Sequence, residues 1–225
     1  MSTSGTYGFN PPIGELTLTA FSRIGVKRTE ILAEHMSNAW LESNLLQADW
    51  GADGITWFTV TKIDQLLTQG ISTYTVPLNV VSVLDVYINN GSSNRLIFPF
   101  SRTDYASLAE PNEQGFPTVF WWNRVIPSTI TLWPVPDNNA TYTMSYYVYQ
   151  QMEDATIRQG GNAQIPYFYL DAYVADLSYR LSRHHAPALE AMRLADRDRA
   201  YAKANKQVEN EPVYITPGLS GYYRS

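Results

Sequence analysis

Three histidines are the residues of this chain best suited to acid–base or metal chemistry: His35 and the adjacent pair His184 and His185. Neighbouring side chains on a helix point about 100° apart, so the two rings of the pair do not converge on one metal ion. Histidines at the C-terminal end of a helix also interact favourably with its dipole. We therefore interpret the pair as structural and His35 as a half-buried core residue.

Nucleophilic and hydrolytic chemistry have little support in the sequence. The chain has no cysteine, which excludes disulfides and thiolate catalysis, and it contains no G-x-S-x-G, H-E-x-x-H, P-loop or G-x-G-x-x-G motif. Four loop carboxylates could in principle pair to hydrolyse a glycosidic bond, but solvated loop acids are the favoured interpretation. These are Asp104, Glu110, Glu113 and Asp137. The sequence predicts no catalytic residue, no cofactor and no metal, and hence a protein that is not an enzyme.

Aromatic side chains crowd the middle of the chain and could stack on sugars or bases. They are Trp121, Trp122, Trp133, Tyr142, Tyr146, Tyr147 and Tyr149. By strand alternation half of them must face the core, and the remainder could equally anchor an interface, where Tyr and Trp are enriched. Base stacking normally accompanies a basic groove, whereas the only basic residues between Ile63 and Gln150 are Arg95, Arg102 and Arg124. This scarcity disfavours nucleic-acid binding by the middle region.

Basic residues collect instead in the last helical segment. They are Arg180, Arg183, Arg193, Arg197, Arg199, Lys203 and Lys206, set against Glu190, Asp196 and Asp198. A solvated helix face with intrahelical ion pairs is the favoured interpretation. The alternative is a sequence-independent contact with DNA phosphates or an acidic partner surface. The candidates for that contact are Arg193, Arg197, Arg199 and Lys203.

The composition limits the class of protein. The chain has 225 residues, a formal net charge of −5 and a hydrophobic content of 44%, which predicts a globular protein without polybasic binding to nucleic acid or membrane. No apolar run reaches the roughly 18 residues of a membrane helix, and the N-terminus lacks the features of a signal peptide. We expect a soluble protein that is made in the cytoplasm.

A helix predicted from Pro166 to about His185 carries two apolar stripes on opposite sides. The first comprises Tyr167, Leu170, Val174, Leu177 and Leu181, and the second comprises Phe168, Ala172, Ala175 and Tyr179. A surface helix of a monomer needs one stripe, so two stripes indicate a helix that is covered on both sides. The cover is either a large core or another subunit, and a contact with another subunit is the favoured interpretation.

A second helix predicted from Thr29 to about Trp50 has the same character. Its main stripe is Leu32, Met36, Ala39, Leu46 and Trp50. Leu41 and Leu45 lie on the other side as a smaller apolar patch. The predicted subunit contacts are therefore Leu41, Leu45, Phe168, Ala172, Ala175 and Tyr179.

Between these helices the hydrophobic period changes from 3.6 residues to 2, which indicates β-strands. Strands are predicted at 56–62, 72–76, 83–89, 95–98, 118–122, 128–133 and 141–149, with a short helix around 102–109. The last strand is the clearest, with Tyr142, Met144, Tyr146 and Val148 on one face. This spacing is typical of an antiparallel sandwich or open barrel.

The predicted architecture is α+β: a helical bundle with an inserted β domain and an extended arm at each end. The N-terminal arm covers 1–13, the helical domain 14–54 and 160–207, the β domain 55–159 and the C-terminal arm 208–225. Within the helical domain, a first short helix ends at Gly25, a natural C′ residue.

The C-terminal arm is too apolar for a free tail and too rich in Pro and Gly for a helix. We interpret it as an extended peptide that docks into a groove on a partner, although folding back onto its own domain is an equal alternative. The docking residues are Pro212, Val213, Tyr214, Ile215, Pro217, Leu219, Tyr222 and Tyr223.

Several short segments in order along about 20–225 resemble one family. They are Ser101-Arg102-Thr103-Asp104-Tyr105, Gly115-Phe116-Pro117-Thr118-Val119, Leu132-Trp133-Pro134-Val135-Pro136-Asp137, Ile165-Pro166-Tyr167, Ala186-Pro187 and Pro212-Val213-Tyr214-Ile215-Thr216-Pro217-Gly218. In these segments the chain resembles the head–tail connector adaptors of short-tailed, podovirus-type bacteriophages, the tail tubular protein A-like group.

The resemblance implies a structural virion protein at the head–tail junction. It implies a dodecameric ring that docks between the capsid portal protein and the tail nozzle protein, with genomic DNA passing through a central channel without sequence specificity. A net charge of −5 suits such a conduit, because a strongly basic lumen would hold DNA tightly.

Two other functions remain open from the residues alone. The aromatic-rich region could be a carbohydrate-binding β module or part of a tail-associated glycan hydrolase. The chain could also be a capsid or head-completion protein that forms no closed ring.

Overall fold

The structure is a computed structural model, and it describes residues 5, 8–54, 59–157 and 160–208. The chain forms two compact units. Residues 1–46 and 154–225 form the first, called here the helical unit, and residues 47–153 form the second, called the β unit. The chain leaves the helical unit and returns to it, and the boundaries lie earlier than the predicted 55 and 159.

The described residues contain five α-helices and nine strands. The helices are α1 (Ile13–Arg23), α2 (Ala33–Ala52), α3 (Arg102–Ala106), α4 (Leu170–His185) and α5 (Glu190–Val208). The strands are β1 (Val60–Leu66), β2 (Thr73–Thr75), β3 (Val80–Asn89), β4 (Asn94–Pro99), β5 (Gln114–Gly115), β6 (Val119–Asn123), β7 (Thr129–Trp133), β8 (Val135–Pro136) and β9 (Thr143–Gln150). None of the described helices combines the length and apolarity needed to cross a membrane.

The predicted end of α1 is confirmed by its C-terminal cap. Gly25 has φ +88°, and its N–H donates to the carbonyl of Ser22 at 3.1 Å. The N–H of Val26 donates to the carbonyl of Phe21, also at 3.1 Å. This pair of bonds is the Schellman arrangement, and glycine adopts its left-handed conformation without steric cost.

The start of α2 differs from the prediction at Thr29. Arg28–Glu30 form a separate 3₁₀ turn, and the α-helix begins at Ala33. The N–H of Leu32 donates to Nδ1 of His35 at 3.0 Å, so this imidazole satisfies an N–H at the helix start that no helical carbonyl can reach. A capping histidine is not among the usual start signals, and the sequence prediction missed it.

The core of the helical unit is built around α4, which packs against both α1 and α5. Leu170, Val174, Leu177 and Leu181 of its first predicted stripe are buried, whereas Tyr167 is exposed. Arg23 of α1 pairs with Asp171 at 2.6 Å. The start of α1 is tied down by the Ile13 N–H, which donates to the carbonyl of Gly161 at 2.9 Å.

The predicted arms are only partly described. Ile13 already belongs to α1, and before it Phe9 meets Tyr167 edge to face, with ring centroids 6.2 Å apart. At the other end, Val208 closes α5. The predicted docking residues, from Pro212 to Tyr223, lie outside the described residues.

Seven strands of the β unit form one curled, mixed sheet in the order β1-β9-β3-β4-β6-β7-β2. The α+β fold class with a β domain is therefore confirmed. The expectation of a purely antiparallel arrangement is corrected at two places. Within this sheet β4 and β6 pair in parallel, with Phe98 opposite Val119, and β5 and β8 pair in parallel as a separate two-stranded sheet. Parallel neighbours need a crossover connection, and between β4 and β6 the chain makes it through the segment that contains α3.

One face of this sheet supplies the core of the β unit. Its buried residues are Leu67, Tyr74, Val76, Val86, Ile88, Ile97, Phe120, Ile130, Leu132, Tyr142, Met144, Tyr146 and Val148. Val86 lies opposite both Ile97 and Tyr146, so residues from three strands stack on the same face. The predicted alternation along the last strand is confirmed, because its four inward residues are all buried.

Candidate functional site

The second apolar stripe of α4 is covered by the chain itself. Ala172 is 1% exposed and Ala175 is 2% exposed, and Tyr179 is also buried. Because α1 and α5 both pack on α4, the helix needs apolar residues around most of its circumference. This corrects the prediction that Ala172, Ala175 and Tyr179 lie at a subunit contact, since a second subunit cannot reach surface that is already buried.

The smaller apolar patch on α2, in contrast, is exposed in the chain. Leu41 is 51% exposed and Leu45 is 49% exposed, and the neighbouring Trp40 is 51% exposed. Leu41 and Leu45 lie on one side of α2, about 40° apart around its axis. Trp40 lies about 100° from Leu41, outside both predicted stripes, and was therefore missed. We call these three residues the α2 apolar face, and its contact with a second subunit stays a prediction.

Phe168, the remaining predicted interface residue, is half-buried. It lies in the 3₁₀ turn that precedes α4, and its ring centroid is 5.2 Å from that of Tyr169. Its role at a subunit contact is untested.

The structure divides the candidate basic contact residues into paired and unpaired groups. Arg193 pairs with Asp196 at 2.9 Å, and Arg197 pairs with Asp198 at 3.0 Å. Arg199 and Lys203 are exposed, and among the described residues neither has a salt-bridge partner. Lys206, which was not a candidate, is likewise exposed and without one.

Arg199, Lys203 and Lys206 follow each other at i, i+4 and i+7, which places them on one face of α5. Met192 and Ala195 lie on the same face and are also exposed. We call Arg199, Lys203 and Lys206 the α5 cation row. A row of unpaired cations of this kind can attract an anionic surface without reading its sequence.

The three histidines come together in the helical unit. The ring centroids of His35 and His185 are 4.5 Å apart, and those of His184 and His185 are 6.1 Å apart. Nε2 of His184 lies 2.9 Å from a carboxylate oxygen of Glu42. Across the described residues, no group of three or more histidine or acidic side chains has an arrangement that could hold a metal ion.

A buried ion network adjoins this cluster. Nε of Arg180 lies 3.2 Å from a carboxylate oxygen of Asp176, and its guanidinium is 3.9 Å from Glu42. The side chain of Asp176 is only 3% exposed. The network joins α2 to α4 inside the helical unit. No sequence pattern indicates it, because Glu42 and Arg180 are far apart along the chain.

Two of the candidate loop carboxylates have structural contacts. Asp104 accepts hydrogen bonds from the N–H and hydroxyl of Ser101 at the start of α3. Asp137 accepts the N–H of Asn139 at 3.0 Å and the hydroxyl of Tyr142 at 2.8 Å. These bonds, led by that from the Asn139 N–H, hold the pKa of Asp137 below its usual value. Glu110 and Glu113 are exposed.

Trp121, Trp122 and Trp133 contact other residues of the β unit. Trp121 stacks on Tyr105 with ring centroids 5.4 Å apart. The guanidinium of Arg124 lies 4.4 Å above the ring of Trp122. The indole N–H of Trp133 donates to the Glu110 carbonyl at 3.1 Å. Tyr142 and Tyr146 are buried in the core, Tyr149 is half-buried and Tyr147 is exposed. These contacts give most of the rings a packing role.

The chain was compared with known proteins. The model of the SU10 adaptor protein family matches residues 26–217, which includes the whole β unit and most of the helical unit. The comparison with curated proteins found no match. The family is one of phage structural adaptors, which makes the protein a virion component. Because the match extends over most of its length, this chain belongs to the SU10 adaptor protein family.

Proposed function

We propose that this protein is a ring-forming adaptor that joins the capsid portal to the tail and lines the channel used in genome retention and ejection. The observation that carries the proposal is the family match over residues 26–217. The resemblance to connector adaptors of short-tailed phages adds the finer features: a dodecamer at the head–tail junction, with the portal protein on one side and the tail nozzle protein on the other.

The α2 apolar face supports self-association. A closed ring requires heterologous contacts, in which each subunit presents two different surfaces to its neighbours. Stable contacts of this kind bury on the order of 1,600 Å² and place apolar and aromatic residues at their centre. Trp40, Leu41 and Leu45, each about half exposed, provide a centre of this type for one of the two surfaces.

The C-terminal residues support attachment to the portal through their composition. Tyr214, Ile215, Leu219 and Tyr222 are apolar or aromatic anchors in a segment rich in Pro and Gly. Burying each anchor contributes about 1.5–3 kcal/mol, whereas ordering each residue costs about 1–2 kcal/mol. One arm therefore binds weakly, and a ring of arms binds firmly because its members share a high effective concentration.

The proposal is tested with purified protein, alone and mixed with portal protein. We expect a ring by analytical ultracentrifugation or electron microscopy, and a stable complex with the portal. A chain truncated after Asn210 should keep its fold and its self-association but lose the portal complex. A truncated chain that still joins the portal would show that the arm is dispensable. A chain that remains monomeric under both conditions would contradict the ring.

Contact with passing DNA is proposed for the α5 cation row. The binding constant of a DNA-binding protein falls with salt by a slope of about −0.9 for each phosphate neutralised. Three cations then give a slope of about −2.7, equivalent to about a 40-fold loss between 50 and 200 mM salt. Such contact is weak and reversible, as a channel that releases its genome requires.

Fluorescence anisotropy with a short labelled duplex tests this contact. Changing Arg199, Lys203 and Lys206 together to Gln should reduce the salt slope by about 2.7. The matched control changes Arg193 and Arg197 to Gln, and it should leave the slope nearly unchanged because both side chains pair with aspartates. Equal slopes for the triple variant and the unaltered protein would contradict DNA contact by this row.

A further inference from the structure

Histidines from two helices meet against one phenylalanine in the helical unit. His35 belongs to α2 and His185 to the last turn of α4. Their ring centroids are 4.5 Å apart. Phe21 of α1 packs on both, at 5.8 Å from His35 and 5.9 Å from His185. The start of α2 is thus held on α1 and α4 through two imidazole rings.

The hydrogen bond made by His35 caps the start of α2. Nδ1 accepts the N–H of Leu32 at 3.0 Å, and a ring nitrogen that accepts a hydrogen bond carries no proton. This bond is the half of a capping box in which the third helical residue reaches back to the N-cap N–H. A proton on Nδ1 would turn the acceptor into a donor facing another donor, and the cap would be lost.

His185 is also in an environment that favours its neutral form. Burial, followed by the nearby His35 and His184, lowers the pKa of His185, whereas Glu34 acts in the opposite direction. Its Nε2 is buried and has no hydrogen-bond partner among the described residues. A proton there would create a buried donor without an acceptor, beside two other imidazoles.

His184 differs from the other two because it has an anionic partner. Its Nε2 lies 2.9 Å from Glu42, a carboxylate that also faces Arg180. The three histidines therefore differ in their contacts. His184 faces a carboxylate, whereas His35 accepts a backbone N–H and Nε2 of His185 has no hydrogen-bond partner among the described residues.

We propose that His35 and His185 form an acid-sensitive latch, which holds the first turns of α2 on α1 and α4 at neutral pH and releases them in acid. In the closed state a proton on Nδ1 of His35 would break the cap, and one on Nε2 of His185 would be a buried donor without an acceptor among the described residues. Neither cost applies once the helix start opens. Below the ordinary histidine value of about 6.5 the open state binds more protons, so the closed state loses stability as the pH falls.

Hydrogen exchange in the full-length protein tests the latch. Amides in the first turns of α2 are followed at about pH 7.5 and about pH 5.5, with correction for the intrinsic exchange rate. Each proton taken up only on opening raises the opening constant about tenfold for each pH unit below about 6.5. We expect the opening constant of the first turns of α2 to rise about tenfold or more between the two pH values, while amides in β9 remain protected. Unchanged protection of α2 between the two pH values would overturn the proposal.

Two variants separate the latch from general acid sensitivity. Gln can reach back to the Leu32 N–H without titrating, so His35→Gln should keep α2 closed and reduce its pH dependence. Adding His185→Phe to His35→Gln should remove the pH dependence of α2 opening that is left. The matched control is His184→Gln, which leaves the His35 cap and the His185 ring in place and should retain most of the wild-type loss of α2 protection in acid. If α2 still loses protection in acid in the double variant, or no longer loses it in His184→Gln, the assignment is overturned. The readout concerns the isolated chain and is independent of ring formation and portal binding.

Discussion

Ala175→Arg is expected to unfold the helical unit. Ala175 is 2% exposed and lies on α4, the helix that packs against both α1 and α5. An arginine there must either displace these helices or bury a charge without a partner. We expect a loss of more than about 4 kcal/mol, the range seen when overpacking and buried charge combine. Urea denaturation followed by circular dichroism measures this change.

Leu45→Arg is the matched control for that experiment. Leu45 also lies on a helix of the helical unit, but it is about half exposed, and surface substitutions usually stay within about 0.5 kcal/mol. We expect a folded monomer whose self-association is lost, because a charge would enter the centre of the proposed contact. A folded Ala175→Arg monomer that fails to assemble would instead return Ala175 to the subunit interface.

Arg180→Met is expected to produce the second large loss of stability. Arg180 is the cation that faces both Asp176 and Glu42 in the helical unit. Removing it leaves a nearly buried carboxylate on Asp176 without that partner, while methionine preserves much of the apolar stem. Breaking a buried ion pair from one side typically costs about 3–5 kcal/mol. Thermal and urea denaturation of the variant provide the measurement.

A surface ion pair supplies the comparison for Arg180→Met. Arg23 and Asp171 join α1 to α4 at 2.6 Å, but the side chain of Asp171 is largely exposed. Arg23→Met should therefore cost less than about 1 kcal/mol. Adding Asp176→Leu to Arg180→Met should recover part of the loss, since the nearly buried carboxylate that faced Arg180 is then gone. Equal losses for Arg23→Met and Arg180→Met would contradict a buried network.

Features that depend on neighbouring residues followed from the sequence alone. Gly25 ends α1 because a left-handed residue is needed at that point, and glycine provides it locally. Tyr142, Met144, Tyr146 and Val148 are buried as predicted, since a strand places alternate residues on one face. The α+β class can be predicted for the same reason, because the change of hydrophobic period from 3.6 to 2 residues is a property of neighbouring residues in the sequence.

Features that depend on which elements meet required the tertiary structure. Two apolar stripes on α4 show that both sides are covered, but they are the same whether α5 or another subunit supplies the cover. The parallel pairing of β4 with β6 depends on a crossover that no strand pattern encodes. The contact of His35 with His185 joins residues that are distant in the chain. The hydrophobic periodicity of a helix or strand indicates which of its faces is buried. Only the tertiary structure shows which element covers that face.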